Sequence, residues 1–230
     1  LKADIKQYFE TVDQHILMGL LQKRITDERV LQLINIILDN YKTSIKGKGM
    51  PLGNLTSQFF ANIYLDKLDQ FVKRVLRAKY YIRYVDDFVI LSESSHQLEE
   101  YKKKISRFLK EKLALELHPD KSRVLKLEKG IGFLGFRVFY HHKLLRKKNV
   151  RKFERKFEEL KMLYTQRIMS REKVVETIEG WFAYASHGNT YNYRRNIARL
   201  FNQYFPLSTQ NKESKGEQRL KKSHNYTTSF

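Results

Sequence analysis

Apolar positions change period several times along this 230-residue chain, and each change predicts an element. Leu1 to Ile5 alternates toward a short strand. From Val12 to Leu33 apolar residues fall at helical spacing, with Ile16, Leu20, Val30, Leu33 and Ile37 as the expected buried stripe. Asp13 reads as a helix N-cap. Lys46-Gly47-Lys48-Gly49-Met50-Pro51 is a basic loop by its glycines and proline. A long amphipathic helix is expected from Ser57 to Leu76, on Phe60, Ile63, Tyr64, Leu68, Phe71, Val72 and Val75. Tyr80 to Leu91 switches to period two around an acidic pair, which predicts two strands and a tight turn. Helical spacing returns from Leu98 to Leu113, and Val124 to Val138 reads as short strands broken by Gly130, Gly132 and Gly135. After His141 the pattern is helical: Asn149 to Ile168, Lys173 to Ala185 and Tyr191 to Tyr204. Residues 207–230 have little to bury and are expected to be a disordered tail. The fold class is thus α+β over residues 1–140, then a basic all-helical region over 141–206.

Composition narrows the function classes. Hydrophobic residues at 41% and aromatics at 13% suffice for a packed core. The absence of cysteine excludes disulfides, thiolate nucleophiles and Cys-ligated zinc. No apolar run approaches the roughly 20 residues of a membrane span, so no membrane partner is expected. Lys and Arg number 45 against 25 Asp and Glu, a net charge of +20 that makes nucleic acid the default partner. Because Leu1 enters a strand at once, the sequence is expected to be the C-terminal part of a longer protein.

The densest chemistry lies in Tyr81-Ile82-Arg83-Tyr84-Val85-Asp86-Asp87-Phe88-Val89-Ile90-Leu91. An Asp pair by itself reads as a solvated turn. Apolar flanks on both sides favour a metal site instead, since adjacent carboxylates repel and hard oxygens suit a divalent cation. One hairpin supplies too few ligands for two ions, and Asp4, at the end of the Leu1–Ile5 run, is the natural further carboxylate. If those strands are neighbours, Asp4 and Asp86 can share two ions about 3.5–4 Å apart.

These residues carry a family resemblance. Tyr84-Val85-Asp86-Asp87 resembles the YxDD signature of reverse transcriptases, and Leu1 to Phe9 resembles the strand bearing their first catalytic aspartate. The resemblance implies a right-hand polymerase lacking most of its fingers. Residues 1–140 would be the palm, an antiparallel sheet backed by helices, and 141–206 the helical thumb. Asp4, Asp86 and Asp87 would be catalytic and bind two Mg2+ ions (Mn2+ able to substitute), joined by the Ile5 backbone carbonyl. Phe9, with Tyr8 beside it, would crowd the sugar 2′ position of the dNTP; Phe9 alone would otherwise read as core packing.

Gly49 to Leu65 resembles the motif that packs against the templating base and incoming nucleotide. Most reverse transcriptases have Gln-Gly in its middle, and intron and retron enzymes end it in Ser-Pro. Here Leu52-Gly53 and Ser57-Gln58 stand instead, a pattern similar to reverse transcriptases of diversity-generating retroelements. Leu52, Gly53 and Gln58 are therefore the candidate dNTP-pocket residues. Leu52 offers bulk without a polar contact, which weakens geometric discrimination; the alternative is a tolerated variant in an ordinary enzyme. His118-Pro119-Asp120-Lys121-Ser122 resembles the turn whose lysine faces the leaving pyrophosphate, so Lys121 joins the catalytic set. Gly132-Phe133-Leu134-Gly135-Phe136 looks like the primer-grip hairpin. Tyr84, Gly132, Phe133, Leu134 and Gly135 are candidate primer contacts, with Lys147, Lys148, Arg151, Lys152 and Arg155 as candidate phosphate contacts. His187, with no second ligand at metal spacing, reads as structural.

The resemblance implies an RNA-directed DNA polymerase, cytoplasmic and bacterial or phage-encoded. Its partners would be a template RNA, a DNA or RNA primer, dNTPs and a small basic accessory protein. Copying would be error-prone at template adenines. The alternatives are an accurate reverse transcriptase of intron or phage-defence type, and a non-catalytic RNA-binding protein on a polymerase scaffold. A nuclease would share the two-metal chemistry without needing Phe9 or the Gly53–Gln58 loop.

Overall fold

A computed structural model describes residues 1–41, 45–51, 53 and 55–206. The expected tail at 207–230 lies outside the described residues, as does Leu52. The architecture mixes helices with antiparallel sheets, and the chain divides into two compact units, Leu1–Ile131 and Gly132–Phe230.

The first unit is built on β1 (Lys2–Asp4), β2 (Tyr80–Tyr84) and β3 (Asp87–Leu91), in the order β1-β3-β2. Both pairings are antiparallel. Phe88, Val89 and Ile90 are buried in succession, whereas β2 alternates, so β3 takes the centre and β2 an edge. The outer side of β1 is closed by residues 116–123. Lys2 and Arg123 exchange backbone bonds of 2.9 and 2.8 Å, and the Lys6 amide donates to the Glu116 carbonyl at 2.9 Å.

Among the described residues, five α-helices and a π-helical turn pack on this frame: α1 (Tyr8–Thr11), α2 (Gln14–Leu21), α3 (Glu28–Asp39), α4 (Leu55–Gln70), the π-helical turn at Phe71–Val75, and α5 (Ser95–Leu113), with β4 (Ile131–Phe133) following later in the chain. Ala3, Phe88 and Ile90 from the sheet share one core with Leu65 and Leu68 of α4 and Ile105 and Leu109 of α5. Two buried phenols tie the layers: Tyr8 donates to the Ala61 carbonyl at 2.9 Å and Tyr64 to that of Leu113 at 2.6 Å. Asp13 does cap α2, accepting from the Ile16 amide at 3.1 Å.

The helical stretch expected from Val12 to Leu33 is two helices, because Asp27 caps a new start by accepting from the Arg29 amide. The buried positions are Leu17, Leu21, Ile34 and Leu38, one residue away from the expected stripe, and Val30 and Leu33 are exposed. Apolar residues on nearly every side of both helices leave spacing alone unable to choose the face. The Ser57–Leu76 helix also changes period: its π turn adds a residue, so Val72 and Leu76 are buried and Val75 turns outward.

The second sheet, order β4-β5-β6, uses β5 (Phe136–Val138) and β6 (Lys143–Leu145). The stretch after His141 therefore opens with a strand before its helices. Three residues carry no readable period, and their ladder to β5 fixes them. Then come α6 (Lys147–Thr165), α7 (Arg171–Ser186) and α8 (Tyr191–Tyr204). Phe153, Phe157 and Leu160 of α6 meet Val174 and Ile178 of α7 and Ile197 and Phe201 of α8 in a separate core. Trp181 stacks on Phe153 with ring centres 3.7 Å apart.

Candidate active site

The acidic hairpin has a two-residue loop, Val85-Asp86, closed by the pair Tyr84↔Asp87. Asp87 also faces Asp4 across β1 and β3. Directly paired residues share a sheet face, so Asp4, Asp87 and Tyr84 lie on one side together with Lys2, Ile82 and Val89. Asp86 follows in the turn, where its carbonyl accepts from the Ile5 amide at 3.2 Å. The structure thus joins Asp4, Ile5, Asp86 and Asp87 from segments about eighty residues apart.

Val85 sits at φ +54°, a conformation that a β-branched residue adopts only under constraint. Arg83 provides it. Its Nη1 donates to the Val85 carbonyl at 2.9 Å, while Nε and Nη2 grip both oxygens of Asp69 on α4 at 2.8 and 2.6 Å. The Tyr81 hydroxyl donates to the same carboxylate at 2.6 Å. Burial alone would push the Arg83 guanidinium down, but the bond to Asp69 and its charge outweigh that and hold it above its ordinary value.

Lys121 reaches the site because its turn is pinned to β1. The His118 amide donates to the Asp4 carbonyl at 2.7 Å. The Ser122 hydroxyl accepts from the Asp4 amide and donates to its carbonyl, both at 3.2 Å. Lys121 Nζ then lies 3.3 Å from Asp4 Oδ1, and Lys2 Nζ lies 3.3 Å from Asp87 Oδ1. Burial, followed by the charges of Asp4 and Asp87, raises the Asp86 carboxyl above its ordinary value. Asp87 is raised as well, chiefly by burial and against the pull of Lys2.

Among the described residues no three acidic or imidazole side chains already converge as a closed metal cluster. The donor set nonetheless suits a hard divalent cation. Asp4 and Asp87 face each other across the strands with Asp86 beside them in the turn, and Asp87 Oδ1 is shut from solvent with no hydrogen bond, the Lys2 ammonium standing near it only as an ion pair.

Tyr8 is buried and Phe9 half-buried beside it, ring centres 5.4 Å apart and edge-on. The Phe9 carbonyl accepts from the Met50 amide at 2.8 Å, and Val12 accepts from Gly49 at 2.7 Å. Those bonds dock the 49–51 loop against α1. Gly53 is exposed at φ +90°, a value that favours glycine, and Gln58 is exposed on the first turn of α4. Leu52, the expected pocket residue just before Gly53, lies outside the described residues.

In the second unit, Leu134 and Gly135 take φ +47° and +84°, the two positive values of a type I′ hairpin turn. Asn149 Nδ2 holds the turn, donating to the Gly135 carbonyl at 3.2 Å and the Tyr184 hydroxyl at 2.8 Å. Gly132 and Phe133 lie on β4, and Lys147, Lys148, Arg151, Lys152 and Arg155 are exposed on α6. His187 caps the C-terminus of α7.

Sequence reasoning missed Lys2, Arg83 and Asp69. Lys2 is two residues from Asp4 and so shares its strand face. Asp69 was visible as a charge beside Leu68 on an otherwise buried helix stripe.

Residues 1–138 match the family model described as Reverse transcriptase (RNA-dependent DNA polymerase). The chain is 26% identical to Protein YkfC of Escherichia coli over 188 residues, covering 65% of this chain and 47% of that protein. It is 24% identical over 205 residues to the group II intron-encoded protein LtrA of Lactococcus lactis subsp. cremoris, covering 60% of this chain and 34% of that protein. It therefore spans less than half the length of either relative. The apo telomerase structure from Candida tropicalis, truncated from its C-terminal domain, aligns at TM-score 0.48 and 16% identity, over 63% of this chain and 35% of that one.

Proposed function

This chain belongs to the reverse transcriptase (RNA-dependent DNA polymerase) family, and we propose that it carries the polymerising centre of an RNA-directed DNA polymerase. The observation that supports this most is the pairing of Asp4 with Asp87 across β1 and β3, with Asp86 next in the turn and Lys121 at Asp4. Asp4, Asp86, Asp87 and the Ile5 carbonyl would hold the divalent magnesium ions. When bound, the metal lowers the pKa of the primer 3′-hydroxyl and offsets charge on the leaving pyrophosphate.

The chain's own residues do the rest. Arg83 and Asp69 fix the turn that presents Asp86. Lys121 supplies a proton or a fixed positive charge where pyrophosphate leaves. Phe9, backed by Tyr8, crowds the sugar 2′ position, and Leu52, Gly53 and Gln58 border the nascent pair. Tyr84 and the Gly132–Gly135 hairpin contact the primer. The exposed cations Lys147, Lys148, Arg151, Lys152 and Arg155 contact phosphates without reading sequence. In this reading residues 1–140 are palm and 141–206 thumb, and template RNA and a primer are the partners.

Primer extension on a primed RNA by the full-length protein, with Mg2+ and dNTPs, tests the assignment. Asp86→Asn is expected to reduce cDNA to background with the fold retained. Surviving synthesis overturns it. The Leu52-Gly53 and Ser57-Gln58 pattern supports a diversity-generating subclass, working with a small basic accessory protein. Similarity to an intron-encoded protein favours an accurate intron-type enzyme instead. Sequencing the cDNA separates them: errors concentrated at template adenines belong to the first, uniform fidelity to the second.

A further inference from the structure

The first unit holds a cleft of about 610 Å³ between one face of α5 and the turn after it. Lys102, Lys103, Ser106, Arg107 and Lys110 line it from the helix, and His118, Pro119 and Ser122 from the turn. Glu99 is the acidic member of the lining, and none of Asp4, Asp86 or Asp87 takes part. Lys121 is paired with Asp4 and takes no part in the lining, whereas His118, Pro119 and Ser122 do.

The four cations differ from three that the second unit neutralises locally. On α6 and α7, Lys156, Lys161 and Lys173 are each paired with a glutamate three residues away. Among the described residues, Lys102, Lys103, Arg107 and Lys110 have no ion pair. Eight residues of helix separate Lys102 from Lys110, a rise of about 12 Å. That length runs beside three or four phosphates of one strand at the duplex DNA spacing of about 3.4 Å each, and beside fewer of an extended single strand. Four cations against the single carboxylate of Glu99 leave an excess of positive charge around one cleft, which a polyanion offsets. A protein partner would need apolar or aromatic anchors, and the lining offers only Leu117 and Pro119.

We propose that α5, with His118, Pro119 and Ser122 of the turn after it, forms a second RNA-backbone site that adjoins the polymerising centre without using its carboxylates or Lys121. It holds RNA by its phosphates, without base readout. The choice of RNA among polyanions rests on the RNA-templated reading above; the affinity for phosphates does not.

The test measures binding of a fluorescent 20-nucleotide oligo(U) to the full-length protein across a salt series. Two double variants remove the same charge from the same helix. Lys103→Gln with Arg107→Gln lies in the cleft, and Lys104→Gln with Lys112→Gln lies outside it. All four residues are exposed, so both proteins are expected to fold as the parent does. The cleft pair is expected to lose about tenfold in affinity and to flatten the log–log salt slope by about 1.4, at about 0.7 per single-strand phosphate contact. The outside pair should lose less than twofold. Equal losses in the two doubles, or none in either, overturn the site. Tighter binding of a polyglutamate of equal charge overturns RNA as its occupant. Absence of primer extension with the cleft-dependent binding intact supports the site while sinking the polymerase reading.

Discussion

Removing the Asp69 carboxylate should damage the catalytic turn from behind. Asp69 accepts from Tyr81 and twice from Arg83, and the Arg83 side chain is only 9% exposed. In Asp69→Ala the guanidinium stays buried without its counter-charge, a loss of about 3–5 kcal/mol in such pairs. Asp69 itself is 27% exposed, so water reaches the gap and the lower end, about 3 kcal/mol, applies. At about 2–4 °C per kcal/mol for a chain of this size, the unfolding midpoint should fall by about 6–12 °C. Thermal unfolding by circular dichroism reads that shift, and primer extension at a permissive temperature should show reduced kcat with KM little changed. The double variant Asp69→Leu with Arg83→Met should recover much of the stability, because no charge is left buried. It should not recover kcat, because replacing Arg83 takes away the donor to the Val85 carbonyl. A midpoint for Asp69→Ala within about 1 °C of the parent, or kcat restored in the double variant, would refute the clamp.

Other perturbations separate chemistry from folding. Asp86→Asn should abolish synthesis yet raise the midpoint at pH 7, because burial and two neighbouring carboxylates hold the Asp86 pKa above its ordinary 3.8. A raised carboxyl binds its proton more tightly in the folded protein, so its ionisation costs stability as pH rises through the raised pKa. The gain should vanish as pH falls below 3.8, and a pH-independent midpoint difference between Asn and Asp contradicts this. In Gly135→Ala the new methyl group meets the Tyr184 hydroxyl, lies 2.8 Å from Asn149 Nδ2 and takes φ +84°. About 2–3 kcal/mol should be lost, part of it regained by adding Tyr184→Phe, as chemical denaturation would read. Leu52→Gln should lower misincorporation at template adenine, measured by cDNA sequencing; an unchanged error spectrum removes Leu52 from the fidelity argument.

Elements with a strong local signature were legible in the sequence. The hairpin at Asp86-Asp87, the Asp13 cap and α8 all follow from period, turn chemistry and capping. The stripe on α2 and α3 was not, since residues such as Leu33 and Ile34 are equally apolar and only the packed core decides which is buried. The π turn at Phe71–Val75 is likewise invisible, because it alters the period itself. At the site the carboxylates were readable as residue types. Their neighbourhood with Lys2 depends on the register Lys2↔Val89, and the Arg83–Asp69 clamp on where α4 crosses the sheet, both tertiary facts.

The arrangement around β1 has a consequence for biosynthesis. Asp4 bonds to Lys121 and Ser122, 117 and 118 positions downstream, and β1 needs β3 on one side and residues 116–123 on the other. Contacts of such sequence separation form slowly. On the ribosome, β1 must wait for β3 to be made before it finds its first partner, and its outer edge stays open until the chain has been made past residue 123. Through that interval the strand is a target for mispairing and for chaperones. The neighbourhood of Asp4, Asp87, Lys121 and Ser122 would then be completed in a single step, when the last edge of the first unit closes.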